Sequence, residues 1–192
     1  KHLNTALKLD PWHEAAQFIH SMALLLSGDY IQGFKEYECR WRSRSNMLRK
    51  VESNAPEWDG TNGKRLLLYG EQGHGDLILM LRYARLIRER GLWQAWIAQK
   101  SIAPLLRTVP EIDLVCEVGD PLPDFDCHLP MVSLPRLFGT TIETIPPAPY
   151  LSKPEPEFRL PGFHVGICWR GSAVNKNDLF RSTNLELWKP VL

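Results

Sequence analysis

The feature that most restricts this chain is a change of period. Over roughly the first fifty residues apolar side chains recur at helical spacing, and from Lys64 onward short apolar runs of strand length alternate with helical stretches. From Glu14 to Ser27 the residues Ala15, Ala16, Phe18, Ile19, Met22 and Ala23 to Leu26 form a broad apolar face, as on a helix buried on more than one side. Ser27-Gly28-Asp29-Tyr30 is a turn in which Gly28 can end that helix. Tyr30, Phe34, Tyr37 and Trp41 then follow at spacings of four, three and four, which predicts a second helix. Two helices joined this tightly make an antiparallel αα-hairpin.

The segment from Asn46 to Gly63 is a polar connection holding Pro56, Trp58-Asp59-Gly60 and Asn62-Gly63. After it, Lys64 to Tyr69 reads as a buried strand, Gly70 to Gly75 as a glycine-rich loop and Asp76 to Arg90 as a helix stopped by Gly91. Trp93 to Ala98 reads as a second strand, Ile102 to Thr108 as a short helix and Ile112 to Val118 as a third strand. Phe125 to Leu129 is a candidate fourth strand, and Ser133 to Phe138 another short helix. Strands alternating with helices predict parallel β-α-β units. Proline then dominates from Pro146 to Pro161, which reads as a linker. Beyond it, Phe163 to Trp169 reads as a strand, Arg170 to Thr183 as a loop, and Leu185 to Leu192 as the start of a helix. Both ends read as cuts.

Composition narrows the class. In 192 residues, 44% are hydrophobic and 23% charged, enough for a packed core. A net charge of +1 argues against a general nucleic-acid binder. Arg40, Arg42, Arg44, Arg49 and Lys50 form a local basic run, read as a solvated helix end with its cations near the C-terminus. The four cysteines, Cys39, Cys116, Cys127 and Cys168, form no C-x-x-C pair and read as reduced core residues. No apolar run is long enough to span a bilayer, and residues 1–10 do not resemble a signal peptide. The expected compartment is the cytoplasm, although a lost N-terminus could have carried an address.

The segment richest in chemistry is Gly70-Glu71-Gln72-Gly73-His74-Gly75-Asp76, between a strand and a helix at the carboxyl edge of a parallel sheet, where open α/β sheets place ligands. Glycines such as Gly73 and Gly75 let backbone approach a ligand closely. The dinucleotide fingerprint needs a third glycine where Ile78 stands, and no Gly-Lys-Ser/Thr follows to make a phosphate loop. Two readings of Asp76 stand: a carboxylate that caps the helix, and a base aimed at a ligand. His74 beside it either tunes or replaces that base or is a plain loop histidine, and Glu71 is a second acidic candidate. His13-Glu14 lacks the second histidine of a zinc-protease motif, since Gln17 stands there, and Cys127-His128 has no metal-binding partners.

Several stretches carry resemblances. Gly28, Tyr30, Gly33 and Tyr37 match the tetratricopeptide repeat, while Gln17 and Ser21 depart from it; the alternative is an ordinary helical hairpin packed on the next domain. Ala6 to Pro11 looks like the closing segment of a preceding repeat, so the array is expected to start before Lys1. Leu66-Leu67-Leu68-Tyr69 with Gly75-Asp76-Leu77-Ile78-Leu79 resembles the opening unit of the ADP-heptose lipopolysaccharide heptosyltransferase family and its tetratricopeptide-linked relatives. Gly119 to Pro123, Leu134 to Thr141, and Trp169-Arg170-Gly171 with Lys176-Asn177-Asp178 and Arg181-Ser182 look like the same group.

That resemblance implies a glycosyltransferase-B fold, two Rossmann-like domains facing each other, the first for the acceptor and the second for a nucleotide-sugar. It also implies Asp76 as general base. Attack of an acceptor hydroxyl on an anomeric carbon needs a proton removed, and the departing diphosphate needs cations. Arg170, Lys176 and Arg181 are the candidates for the diphosphate, although this loop departs from the heptosyltransferase pattern and a solvated loop is the alternative.

The expected architecture is therefore α plus α/β: a tetratricopeptide-type hairpin over 1–46, a Rossmann-like acceptor domain over 64–149, and the start of a donor domain over 162–192. The expected function is transfer of a sugar from a nucleotide-sugar donor to a protein or glycan acceptor, with the repeats recruiting acceptor or partner. The fragment alone is expected to be inactive. No cofactor, metal, nucleic acid or membrane span is expected. The rival functions are a non-catalytic tetratricopeptide scaffold and, disfavoured by the missing glycine, a nucleotide-binding oxidoreductase.

Overall fold

A computed structural model describes residues 2–42, 50–71, 73–151, 161–171 and 178–191. By backbone proximity the chain divides into two compact units, Lys1–Pro154 and Glu155–Leu192.

The first unit begins with three helices, α1 (His2–Leu9), α2 (Glu14–Ser27) and α3 (Tyr30–Tyr37), the last running into a 3₁₀ turn over Glu38–Trp41. His13 caps α2, its Nδ1 accepting from the Ala16 amide at 3.2 Å. Gly28 ends the helix at φ 87°, and its N–H bonds back to the carbonyls of Leu24 and Leu25. Asp29 at once caps α3 by accepting from the Gln32 amide. Glycine is also required at Gly33, where a Cβ would lie 2.7 Å from Leu25 Cδ2, so α2 and α3 meet at a distance that no larger side chain fits.

The apolar face of α2 is not buried on more than one side. Among its residues only Ala16 and Ser21 are buried, whereas Ile19 is 53% and Leu26 86% exposed. α2 packs mainly on α3 and also meets α1, and Leu25 packs against the core, while Ile19 and Leu26 stay exposed. Arg40 corrects a second expectation. It is no solvated cation of a basic run but a fully buried side chain. Arg42 is exposed and stacks over the Trp12 ring at 5.2 Å, and exposed Lys50 pairs with Glu57. Arg44 and Arg49 lie outside the described residues.

The second half of the unit is a four-stranded parallel sheet in the order β3-β2-β1-β4, built from β1 (Arg65–Tyr69), β2 (Trp93–Ala98), β3 (Leu114–Glu117) and β4 (Cys127–Pro130). Leu66, Leu67 and Leu68 are all without solvent exposure, as a central parallel strand covered on both faces requires. The connection from β1 is α4 (His74–Met80), a 3₁₀ turn over Leu81–Tyr83 and α5 (Ala84–Glu89). Short helices α6 (Ala103–Leu106) and α7 (Leu134–Leu137) follow β2 and β4. The helix expected over Asp76 to Arg90 thus starts two residues earlier and is interrupted once.

The polar connection before β1 contributes more than a link. Trp58 is buried, its indole N–H donates to the Thr61 carbonyl at 2.8 Å, and Glu57 forms a parallel bridge with His128 along β4. Cys39, Cys116 and Cys127 are buried free thiols, but Cys168 is exposed rather than in a core.

In the second unit, 161–171 includes no strand, contrary to the reading of Phe163 to Trp169. A strand exists only as a hydrogen-bonded partner of another, and none of the described residues of this unit supplies one. Phe163 and Val165 are accordingly exposed. The segment is tied instead by the Thr183 amide donating to the Trp169 carbonyl at 2.8 Å. A short helix α8 (Asp178–Arg181) lies within the expected loop, and Leu185–Val191 is a 3₁₀ helix.

Candidate functional site

The strand order sets where a ligand crevice can form. From β1 the chain moves to β2 and β3 on one side, then crosses to β4 on the other, so β1 and β4 diverge in connection and their carboxyl ends form the switch point of the sheet. The loops leaving that point begin at Gly70 and at Met131. They approach closely: a Cβ on Gly70 would lie 3.2 Å from Met131 Cε.

Into this point the helical hairpin inserts Arg40. Its Nε donates to Glu71 Oε2 at 2.6 Å and its Nη2 to Glu71 Oε1 at 2.9 Å, and neither side chain has any solvent exposure. Nη2 also donates to Ser133 Oγ at 2.8 Å, and Nη1 to Glu38 Oε1 and the Tyr37 carbonyl. Ser133 Oγ donates to Glu38 Oε1 at 2.8 Å, and the Val132 amide donates to Glu71 Oε1 at 3.2 Å. Burial alone lowers the pKa of Arg40, but its hydrogen bonds and charge attraction to Glu71 and Glu38 outweigh that and raise it. Glu71 is therefore engaged inside the protein by Arg40 and the Val132 amide. No local sequence signal marks this network, because Arg40, Glu71 and Ser133 are far apart in the chain. Its hint in the sequence is a carboxylate set into a glycine loop that nothing nearby neutralises.

Beyond Glu71 the loop turns outward. Gly73 is the N-cap of α4, and Asp76 sits at the third helical position with Oδ2 accepting from the Gly73 amide at 3.1 Å. Glycine has no side chain to return a bond, so only the carboxylate half of a capping box is made. Asp76 is half-buried, and its Oδ1 has no hydrogen-bond partner among the described residues. The cap reading of Asp76 is thus correct for one oxygen and leaves the other open. Gly75 has nothing within 4 Å of where a Cβ would stand.

His74 does not meet Asp76. Its Nε2 lies 2.7 Å from Gln99 Oε1 and 3.1 Å from Ser101 Oγ, which ties the start of α4 to the loop after β2. Residues two apart on a helix do not share a face. Beside it, Gly70, Gly73, Leu77 and Gln99 border a small cavity of about 70 Å³.

A larger groove, about 430 Å³, lies on the other side of Asp76. The hairpin forms one wall and α4 with the loop after β4 the other, so both structural halves of the first unit contribute to it.

The donor-side candidates lie in the second unit. Arg170 and Arg181 are exposed. Arg181 Nε is 3.7 Å from Asp178 Oδ1, and its guanidinium packs on Gly171, where a Cβ would come within 2.9 Å of Nη2. Lys176 lies outside the described residues. Among the described residues no group of three or more His, Cys, Asp or Glu could hold a metal ion, and no helix is long and apolar enough to cross a membrane.

Among curated proteins, the chain is 24% identical over 206 aligned residues to Protein FlbA of Caulobacter vibrioides, covering 92% of this chain and 35% of FlbA. The chain thus spans about a third (35%) of the length of that relative. No family profile matches the chain, and no solved structure matches it.

Proposed function

We propose that this chain is the acceptor-side part of a glycosyltransferase that moves a sugar from a nucleotide-sugar to a hydroxyl, with Asp76 as the general base. The observation that carries this reading is the position of Asp76: a carboxylate on the first turn after β1, beside the switch point of a parallel sheet, with one oxygen held by Gly73 and the other open. A base needs that combination of a fixed orientation and a free acceptor. The motif resemblances over 64–81 and 119–141 point the same way, and the hairpin fits a tetratricopeptide-type element.

The transfer itself needs a donor domain, of which residues 162–192 are read as the beginning, with Arg170, Lys176 and Arg181 as candidates to meet the diphosphate. The repeats recruit the acceptor or a protein partner, and no cofactor beyond the nucleotide-sugar takes part.

One observation favours the second reading, a scaffold without catalysis. Arg40 and Glu71 fill the switch point, and α2 leaves Ile19 and Leu26 open for a partner protein. The full-length protein separates the two. A panel of nucleotide-sugars is incubated with it, with and without cell-extracted acceptor, and release of the nucleotide diphosphate is followed. Acceptor-dependent release from one donor supports transfer. No release from any donor, alongside stable capture of a protein by the hairpin, supports the scaffold.

A further inference from the structure

The turn that carries Asp76 is weak by itself. Gly73 caps α4 without a side chain, and Gly75 sits inside the first turn, where glycine gives up the most conformational freedom. Leu77 and Met80 hold the body of α4 in the core, but Gly73, His74 and Gly75 are exposed. The contact of Asp76 with the Gly73 amide closes the turn on itself and does not fasten it to the sheet.

Side chains on the two flanks of the β1 loop supply the ties. In the sheet β1 lies between β4 and β2. On the β4 side, Glu71 is held by the Val132 amide and by Arg40. On the β2 side, His74 Nε2 lies 2.7 Å from Gln99 Oε1 and 3.1 Å from Ser101 Oγ. An amide oxygen only accepts, so Nε2 is the ring nitrogen that carries the hydrogen. The first tie is buried and the second exposed. An exposed bond adds little to global stability, yet it restricts the local opening of the turn it closes.

We infer that His74 is a positioning residue for Asp76. Through Gln99 and Ser101 it fixes the first turn of α4, and with it the direction in which Asp76 presents its second oxygen. In this role His74 takes no proton and touches no substrate. The effect on turnover rests on the transfer reading. A reacting group misplaced by about 1 Å can lose on the order of 10²-fold in rate, so a tie of this kind matters to chemistry before it matters to folding.

Two sets of measurements test the inference. In the 192-residue chain, the amides to follow are Gly73, which donates to Asp76 Oδ2, and Leu77, which donates to the Gly73 carbonyl. His74→Ala should speed their hydrogen exchange about fivefold, with an unchanged unfolding midpoint. Imidazole nitrogen shifts should place the hydrogen of the neutral ring on Nε2. In the full-length protein, His74→Ala should lower kcat about tenfold with KM unchanged. His74→Gln, which keeps an N–H near the position of Nε2, should recover most of that loss. Gln99→Ala with Ser101→Ala removes the same tie from the other side. It should give the same fall, with no further loss when His74→Ala is added. The inference is overturned by unchanged exchange in His74→Ala, by a neutral ring with its hydrogen on Nδ1, by failure of His74→Gln to recover kcat, or by additive losses. Exchange is read without substrate. A full-length parent that shows no turnover therefore removes the transfer reading, while the tie stands or falls on exchange.

Discussion

Arg40 and Glu71 form a two-pronged ion pair, at 2.6 and 2.9 Å, that joins the helical hairpin to the carboxyl edge of the sheet with no solvent exposure on either side chain. The pair lies where the two connections of the sheet part. The same carboxylate also holds the Val132 amide of the loop after β4. The change of period in the sequence therefore marks a change of secondary structure within one packed unit. Two buried charges hold hairpin and sheet in a fixed relation.

Removing one partner strands the other without water. Arg40→Met is expected to destabilise the chain by about 3–5 kcal/mol in urea unfolding, the scale for breaking a buried pair. Glu71→Gln is expected to act in the same direction, as a loss of stability. Combining Arg40→Met with Glu71→Gln should cost less than the sum of those two single changes, because neither charge of the pair is then left buried alone. Equal and additive losses would mean the pair is not coupled.

Much of the fold is legible in the sequence because it depends on local pattern. The apolar run Leu66-Leu67-Leu68 marks the central strand, Gly28 the end of α2 and the six residues from Trp93 the second strand. The site is legible in part. Asp76 stands out because it follows two glycines at a strand-to-helix turn, and the contact with the Gly73 amide is the cap that such a position predicts. Arg40 is not legible, because the partners that draw it inside, Glu71 and Ser133, are more than thirty and ninety positions away. Local charge pattern marks it as a surface cation. The strand read at Phe163 to Trp169 fails for a related reason: apolar composition gives a segment the capacity to pair, and pairing requires a neighbour.

The turn between α2 and α3 gives a second test. Gly28 has φ 87°, and a Cβ there would come within 2.9 Å of Ile142 Cδ1. Gly28→Ala is expected to destabilise by about 1–2 kcal/mol from the left-handed backbone alone, with the contact adding to it. Gly75→Ala, where a Cβ meets nothing within 4 Å, should leave the thermal midpoint nearly unchanged. Equal effects at the two positions would contradict the assignment of Gly28 as a strained cap.

The alkaline limb of stability should report Cys127. Burial, opposed by Lys64 and aided by Asp126 and Asp59, pushes its thiol up from 9.0 to about 11. The folded thiol keeps its proton to higher pH than the unfolded one. Between those values the unfolded state binds fewer protons, so the stability present below pH 9 is lost as pH rises through 11. The share of Cys127 is about 2–3 kcal/mol. Tyr83, also raised by burial, contributes in the same direction. Cys127→Ala should flatten the fall of unfolding free energy from pH 9 to 11 without abolishing it. An unchanged slope would show that this thiol ionises equally in both states.

The proposed transfer mechanism stands on the second oxygen of Asp76, and one substitution tests it most directly. Asparagine keeps the shape and can still accept from the Gly73 amide, but it cannot take a proton from an acceptor hydroxyl. In the full-length protein, the steady-state turnover of Asp76→Asn should fall by roughly 10²-fold or more, the scale of a lost general base, with an unchanged thermal midpoint. Full turnover in Asp76→Asn would contradict the account and leave the carboxylate as a helix cap.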